Sequence, residues 1–295
     1  MTVRRLWICG LLLGGLLLLA PSARAEYGIS EHSLPLSASG EKAEYLLYTP
    51  AQAPTKERAP LLVALYGMGG SLKEYDFKGP GFADLRDELD RRGYFVLVPD
   101  LGPRHCMNDR AMQILDSILD EQRRDPRLDA RRVDLLGTSM GGGSALAYAL
   151  HQPARIRSIV DHVGMTDFAA WIGENPDYRD IVQTALGGSP EQVPEQYLRR
   201  SAVENARQLK NIPILLIHGT KDVVVLPSHS IRLHDALQAR RGKSVLKLLE
   251  GGIHSGDTMI GLGPEVADFL EAARGKHGKP PRGQRPGTGR TREKE

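Results

Sequence analysis

The stretch from Arg132 to Leu136 reads as a strand, passes straight into Gly137-Thr138-Ser139-Met140-Gly141, and continues into a small-residue helix from Gly142 to Leu150. A strand that becomes a helix across one glycine-flanked turn points to an architecture whose helices cross over between neighbouring parallel strands. Further strand-like runs keep the same rhythm. Ala43 to Tyr48 is an early strand, while Pro60 to Tyr66 and Tyr94 to Pro99 are apolar enough to be buried on both faces. Ile156 to Val163, Ile212 to His218 and Ser244 to Leu249 follow. Asn108 to Arg124 places Met112, Leu115, Ile118 and Leu119 at helical spacing, and a last helix falls near Pro264 to Arg274. The fold class expected is α/β, with a mostly parallel central sheet flanked by helices. From about 165 to 210 the rhythm breaks and Trp171, Pro176, Tyr178, Pro190, Pro194 and Tyr197 gather, which predicts a small helical insertion over the sheet.

The two ends read differently from the middle. Arg4 and Arg5 precede an apolar run from Leu6 to Ala20, then Pro21 and Ala23-Arg24-Ala25, the pattern of an export signal cleaved after Ala25. The run is marginal for an uncleaved membrane anchor, which needs about 20 apolar residues. A periplasmic or secreted protein without stable membrane insertion is expected. After Gly275 the chain is Lys, Arg, Gly and Pro with little apolar content, so residues 275–295 are expected to be a disordered basic tail and 26–274 the folded domain. The formal net charge of +3 belongs to these ends. Residues 1–25 hold three Arg and no acid, and the tail holds seven Lys or Arg against two Glu, leaving −5 in between. An acidic domain gives no electrostatic footprint for nucleic acid. Cys106 is left without an intrachain partner once Cys9 is removed with the signal, and reads as a half-buried structural thiol.

Ser139 sits at the centre of a G-x-S-x-G pentapeptide in the strand-to-helix context of a nucleophile elbow. A simple glycine turn would explain the string alone; the flanking elements favour the elbow. A serine hydroxyl is a poor nucleophile at neutral pH and needs a base within reach and a third group orienting that base. Asp222 follows the run ending at His218, His254 follows the last strand, and the order Ser, Asp, His suits loops at one edge of such a sheet. Among the competitors, His105, His162, His218, Asp161, Asp167 and Asp257, each has a structural explanation: His218 holds its loop, His162 is a satisfied core histidine, and Asp167 and Asp257 are helix caps. Asp167 is the best rival acid. Tyr66-Gly-Met-Gly-Gly70 follows the strand where a second oxyanion donor belongs, so the donors expected are the N–H groups of Met68 and Met140. Trp171, Tyr178 and Tyr197 could wall a shallow pocket or simply pack the insertion onto the sheet. No metal and no cofactor is expected.

Residues 131–142, Ile214 to Asp222 and Gly251 to His254 resemble the α/β-hydrolase superfamily, and within it the catalytic domain of the prolyl oligopeptidase-like group and its secreted esterase relatives. The likeness covers residues 40–274 and implies Ser139, Asp222 and His254 as the triad. Two departures weigh against endopeptidase activity more than against hydrolysis. No stretch is long enough to build the gating β-propeller of that group's peptidases. Met68 stands where prolyl oligopeptidases proper carry a tyrosine that serves the oxyanion hole, and Tyr66 stands where esterase relatives commonly carry His. The leading expectation is a hydrolase of small-molecule or polymer-linked carboxylic esters with short acyl chains, acting through an acyl-enzyme. The alternatives are a small serine peptidase of the same group and a non-catalytic binding protein on the same scaffold.

Overall fold

The computed structural model describes residues 27–36, 40–51, 58–72 and 79–275. The readings of a signal at 1–25 and of most of the basic tail lie outside these residues.

Runs of residues buried on both faces set the centre of the sheet. They are β3 (Ala59–Leu65), β4 (Phe95–Pro99), β6 (Ile156–His162) and β7 (Ile214–Gly219). Between them lies β5 (Leu128–Thr138), longer than the sequence suggests, because it runs on both sides of a register shift at Val133/Asp134. β1 (Gly28–Pro35), β2 (Lys42–Thr49) and β8 (Ser244–Leu249) complete an eight-stranded sheet in the order β1-β2-β4-β3-β5-β6-β7-β8. Of these strands only β2 runs against the rest, pairing antiparallel with β1 and β4. The order steps outward from β3 in both directions, so the carboxyl ends of β5, β7 and β8 open on one edge, where doubly wound sheets gather their sites.

Helices cover both faces. α1 (Ala83–Arg91) and α9 (Gly263–Ala273) pack together, and α9 also meets β6. α2 (Asp109–Gln122) begins at Asn108, whose side chain accepts from Ala111 N at 2.9 Å, and packs on β2 and β5. α3 (Met140–His151) is rich in glycine and alanine, and this lets it lie close against β3, β5 and β6. The insertion contributes α4 (Phe168–Glu174), α5 (Arg179–Leu186), α6 (Pro194–Leu198) and α7 (Ala206–Leu209), and α8 (Ser228–Gln238) crosses from β7 to β8. The core is split by the sheet into two layers. Leu115, Ile118, Leu146 and Leu233 fill one; Leu85, Leu89, Trp171 and Leu270 fill the other.

Two positions explain the glycines of the turn between β5 and α3. A Cβ on Gly137 would overlap Gly141 O, and a Cβ on Gly141 would overlap Leu65 O. Only hydrogen at both positions lets the helix start so close to the strands.

Candidate active site

Ser139 occupies the corner between β5 and α3 with φ 55° and ψ −118°, a backbone conformation that L residues with a side chain rarely adopt. Its N–H donates to His162 O at 2.9 Å, and the corner is thereby held on the neighbouring strand. Strain of this kind costs on the order of 1–3 kcal/mol and persists only where the surroundings fix it. Val163, at the end of β6, is a second strained residue (φ 47°) and faces the same cavity.

Asp222 lies in the turn after β7. Its side chain is fully buried, and Oδ1 accepts from the backbone N–H of Val224 and of Val225, both at 2.9 Å. His254 follows the β8 turn with its side chain 19% exposed; Nδ1 is 2.7 Å from Asp222 Oδ2 and Nε2 is 2.9 Å from Ser139 Oγ. A carboxylate can only accept, so Nδ1 carries the ring hydrogen and the bare Nε2 accepts from the serine hydroxyl. Burial by itself would raise the Asp222 carboxyl, but hydrogen bonds from His218, His254 and Val225 outweigh it and hold the group well below the usual carboxylate range. The carboxyl is therefore ionised at neutral pH.

Met68 lines the same cavity as Ser139, and Met140 follows that serine in the chain. Met68 lines the cavity from the loop after β3; Met140 is the first residue of α3, whose leading N–H groups have no partner within the helix. Among the described residues no other backbone oxygen accepts from either N–H. Tyr66 is directed away, its hydroxyl bonded to Leu101 N at 2.9 Å and to Asp100 Oδ1 at 3.2 Å.

The cavity in front of Ser139 has a volume of about 350 Å³ and is walled by Met68, Val163, Trp171, Tyr178 and Val224. The Trp171 and Tyr178 rings lie 4.9 Å apart, tilted by 35°. Tyr197 is not part of this wall: it is buried within the insertion and its hydroxyl bonds Gly188 O at 2.9 Å.

Of the competing residues, Asp167, His162 and His105 are engaged elsewhere. Asp167 caps α4 through Ala170 N at 3.0 Å and bonds Ser201 Oγ at 3.0 Å. Asp257 is not a cap; the capping side chain of that short turn is Ser255, which accepts from Asp257 N. His162 is buried, 2.6 Å from Thr258 Oγ1, and burial brings it down to about 3. His105 accepts from Met107 N at 3.1 Å, and burial likewise lowers it to about 3. Cys106 is fully rather than half buried, and burial pushes its thiol up to about 12, out of reach as a nucleophile at neutral pH. Asp161 is fully buried on β6. Among the described residues no group of three His, Cys, Asp or Glu could hold a metal ion.

Residues 117–272 match the prolyl oligopeptidase family. The chain belongs to that family. It is a serine hydrolase with the α/β-hydrolase fold. An uncharacterized peptidase of Bacillus subtilis (strain 168), YtmA, is 31% identical to this family member over 113 residues, which make up 38% of this chain and 44% of the relative. Dipeptidyl-peptidase 5 of Porphyromonas gingivalis is 26% identical over 137 residues, 41% of this chain and 18% of the relative. The matches therefore span less than half the length of either curated relative. Among solved structures, a puromycin-hydrolyzing peptidase of Mycobacterium tuberculosis superposes with a TM-score of 0.73 at 19% identity, over 87% of this chain and 41% of that one. An S-formylglutathione hydrolase from Agrobacterium tumefaciens gives 0.67 at 17% identity, over 88% of this chain and 99% of that one. At these identities the likeness is one of fold.

Proposed function

We propose that Ser139 is the nucleophile, His254 the general base and Asp222 the acid that orients it, in a two-step transfer of an acyl group to water. The observation that supports this reading is the unbroken line from Asp222 Oδ2 through His254 to Ser139 Oγ, with contacts of 2.7 and 2.9 Å, ending in a cavity. Ser139 Oγ attacks the acyl carbon as its proton passes to His254 Nε2, and the N–H groups of Met68 and Met140 receive the oxyanion. His254 then protonates the leaving group, the acyl group stays on Ser139, and water repeats the sequence to release the acid. Asp222 remains a carboxylate and stabilises the imidazolium formed in each half.

The apolar walls at Trp171, Tyr178, Val163 and Val224 favour a compact acyl part, since each buried CH₂ contributes roughly 0.8 kcal/mol only where wall receives it. For the leaving group, our first reading is an amine: the family and the curated relatives are peptidases by name, which favours a small serine peptidase acting on short peptides. The second reading is an ester of a short acyl chain, acetyl to butyryl, which the same cavity accommodates. Export through residues 1–25 belongs to this proposal, and amino-terminal sequencing of the mature protein tests it by finding Glu26 first.

A substrate panel separates the readings. kcat/KM is measured on p-nitrophenyl esters from C2 to C12 and on aminoacyl and dipeptidyl p-nitroanilides, each relative to its uncatalysed rate. Greater acceleration of the anilides supports the peptidase. Turnover of C2 to C4 esters with inert anilides supports the esterase. Inertness toward both, together with no labelling by a fluorophosphonate, rejects catalysis in favour of a binding protein.

A further inference from the structure

A second imidazole touches the acid of the site. His218, the fifth residue of β7, is fully buried, and its Nε2 lies 2.8 Å from Val225 O and 3.3 Å from Asp222 Oδ2, while Nδ1 lies 2.7 Å from Ser230 Oγ on α8. A carbonyl accepts only, so Nε2 carries a hydrogen, and a neutral ring takes the Ser230 hydroxyl proton at Nδ1. That one tautomer satisfies every polar atom of a ring with no access to water. It also puts the N–H on the Nε2 that bonds Val225 O, with the carboxylate oxygen that His254 uses 3.3 Å from the same nitrogen. Val224 and Val225 hold Oδ1 alone, which leaves the carboxylate plane free to swing about that oxygen. A donor on Oδ2 from a side other than His254 closes that freedom.

We infer that His218 is a positioning residue for the site, fixing the plane and direction of the Asp222 carboxylate through its shared Nε2 hydrogen and so the orientation of His254. The inference rests on the reading of Asp222 as the acid partner of His254. The other titratable groups near the ring are Asp161 and His162 on β6, both buried, and His254 on the β8 loop. From α8 the ring receives the Ser230 hydroxyl.

Two amide replacements separate positioning from packing. Gln places its amide nitrogen near the position of Nε2 and keeps the donor toward Val225 O and Asp222; Asn reaches only the Nδ1 position and keeps the Ser230 contact. Hydrolysis of p-nitrophenyl acetate by the full chain is normalised to the number of sites a fluorophosphonate labels. His218→Gln then keeps kcat within about threefold, and His218→Asn loses about tenfold, the low end for a hydrogen bond to a charged group, with KM within about twofold. Removing a donor leaves more of the Asp222 charge for the His254 imidazolium, so in His218→Asn the acid limb of kcat/KM moves up by roughly half a pH unit. Equal kcat per labelled site in the two variants, or an unmoved limb in His218→Asn, overturns the inference. Should neither variant fold, ¹⁵N-histidine NMR of the wild-type chain decides: the Nε2–H tautomer is required for His218, and the Nδ1–H tautomer overturns it. Ser139→Ala and His254→Gln run alongside. Activity surviving in those two sinks the reading of the site itself, whereas their loss with indistinguishable Asn and Gln variants sinks only the role of His218.

Discussion

Trp171 Nε1 donates to Val224 O at 2.8 Å, and Val224 N in turn donates to Asp222 Oδ1 at 2.9 Å. The indole that walls the cavity is thus tied to the peptide that holds the acid. Trp171→Phe keeps an aromatic wall but leaves the Val224 carbonyl without its donor. It is expected to lower stability by about 1–2 kcal/mol and kcat by several-fold, with KM little changed. Trp171→Ala removes the wall itself and should raise KM. Steady-state kinetics of both variants on one substrate check the split, and a Trp171→Phe effect confined to KM contradicts it.

Ser139→Ala is expected to reduce turnover at least about a thousandfold and to abolish fluorophosphonate labelling. Because the Ser139 backbone is strained at φ 55°, Ser139→Gly should melt above Ser139→Ala by an amount worth on the order of 1 kcal/mol. Calorimetry of the two inactive variants measures this directly. Equal melting would mean that the corner stores no strain.

Asp161 is fully buried on β6, and its carboxyl oxygens have no hydrogen-bond partner of good geometry among the described residues. It is wedged against Gly142 and Gly164, where an added Cβ would overlap its Oδ1. Burial pushes its carboxyl up to about 7. Below about 4 the group is protonated in both the folded and the unfolded chain and costs nothing; as pH rises toward 7 only the unfolded chain releases the proton freely, so stability falls. A shift from 3.8 to about 7 corresponds to roughly 4 kcal/mol by linkage. Asp161→Asn should therefore melt higher than wild type at pH 8 and lose that advantage by pH 4. A difference that does not vary with pH would contradict the buried, titrating carboxyl.

Arg200 is 1% exposed and bonds Met107 O at 2.7 Å, Gln196 O at 2.8 Å and Asp109 Oδ1 at 2.7 Å. It joins α6 to a corner where Cys106 and Met107 both have positive φ. Arg200→Met leaves the buried Met107 carbonyl without its donor and should cost about 1–3 kcal/mol, read as the shift in urea midpoint. The Cys106 thiol, shielded in wild type, should react faster with a disulfide reagent as the corner loosens. An unchanged thiol rate would show that the corner holds without the guanidinium.

What the sequence revealed of the fold followed burial. β3, β4, β6 and β7 were readable because strands covered on both faces are continuous apolar runs. β1 was not, since GISEHSLP is nearly all exposed and keeps no alternation. α1 offers only Leu85 and Leu89 as apolar core contacts, and half of the buried positions of α8 are His229 and Ser230, so neither shows a hydrophobic stripe. At the site, Ser139, Asp222 and His254 could be nominated because each follows a strand end. The contact between His218 and Asp222 depends on how the chain turns back after β7, and the bond from Trp171 to Val224 O joins segments far apart in sequence. Tyr197 shared the aromatic character of Trp171 and Tyr178 but turns its hydroxyl to Gly188. No residue pattern distinguishes a ring that faces a cavity from one that packs beside it.

Ser139, Asp222 and His254 hang from three parallel strands, β5, β7 and β8, and the last of them, β8, docks on β7 only after α8 has crossed over. Parallel pairing of this kind is slow to form because the intervening loop must close first. His254 therefore comes within reach of Ser139 only when residues 244–254 have joined β7. A chain in which β8 has not docked holds Ser139 with no imidazole beside it, so the line from Asp222 to Ser139 is a property of the completed sheet and of no smaller part of it.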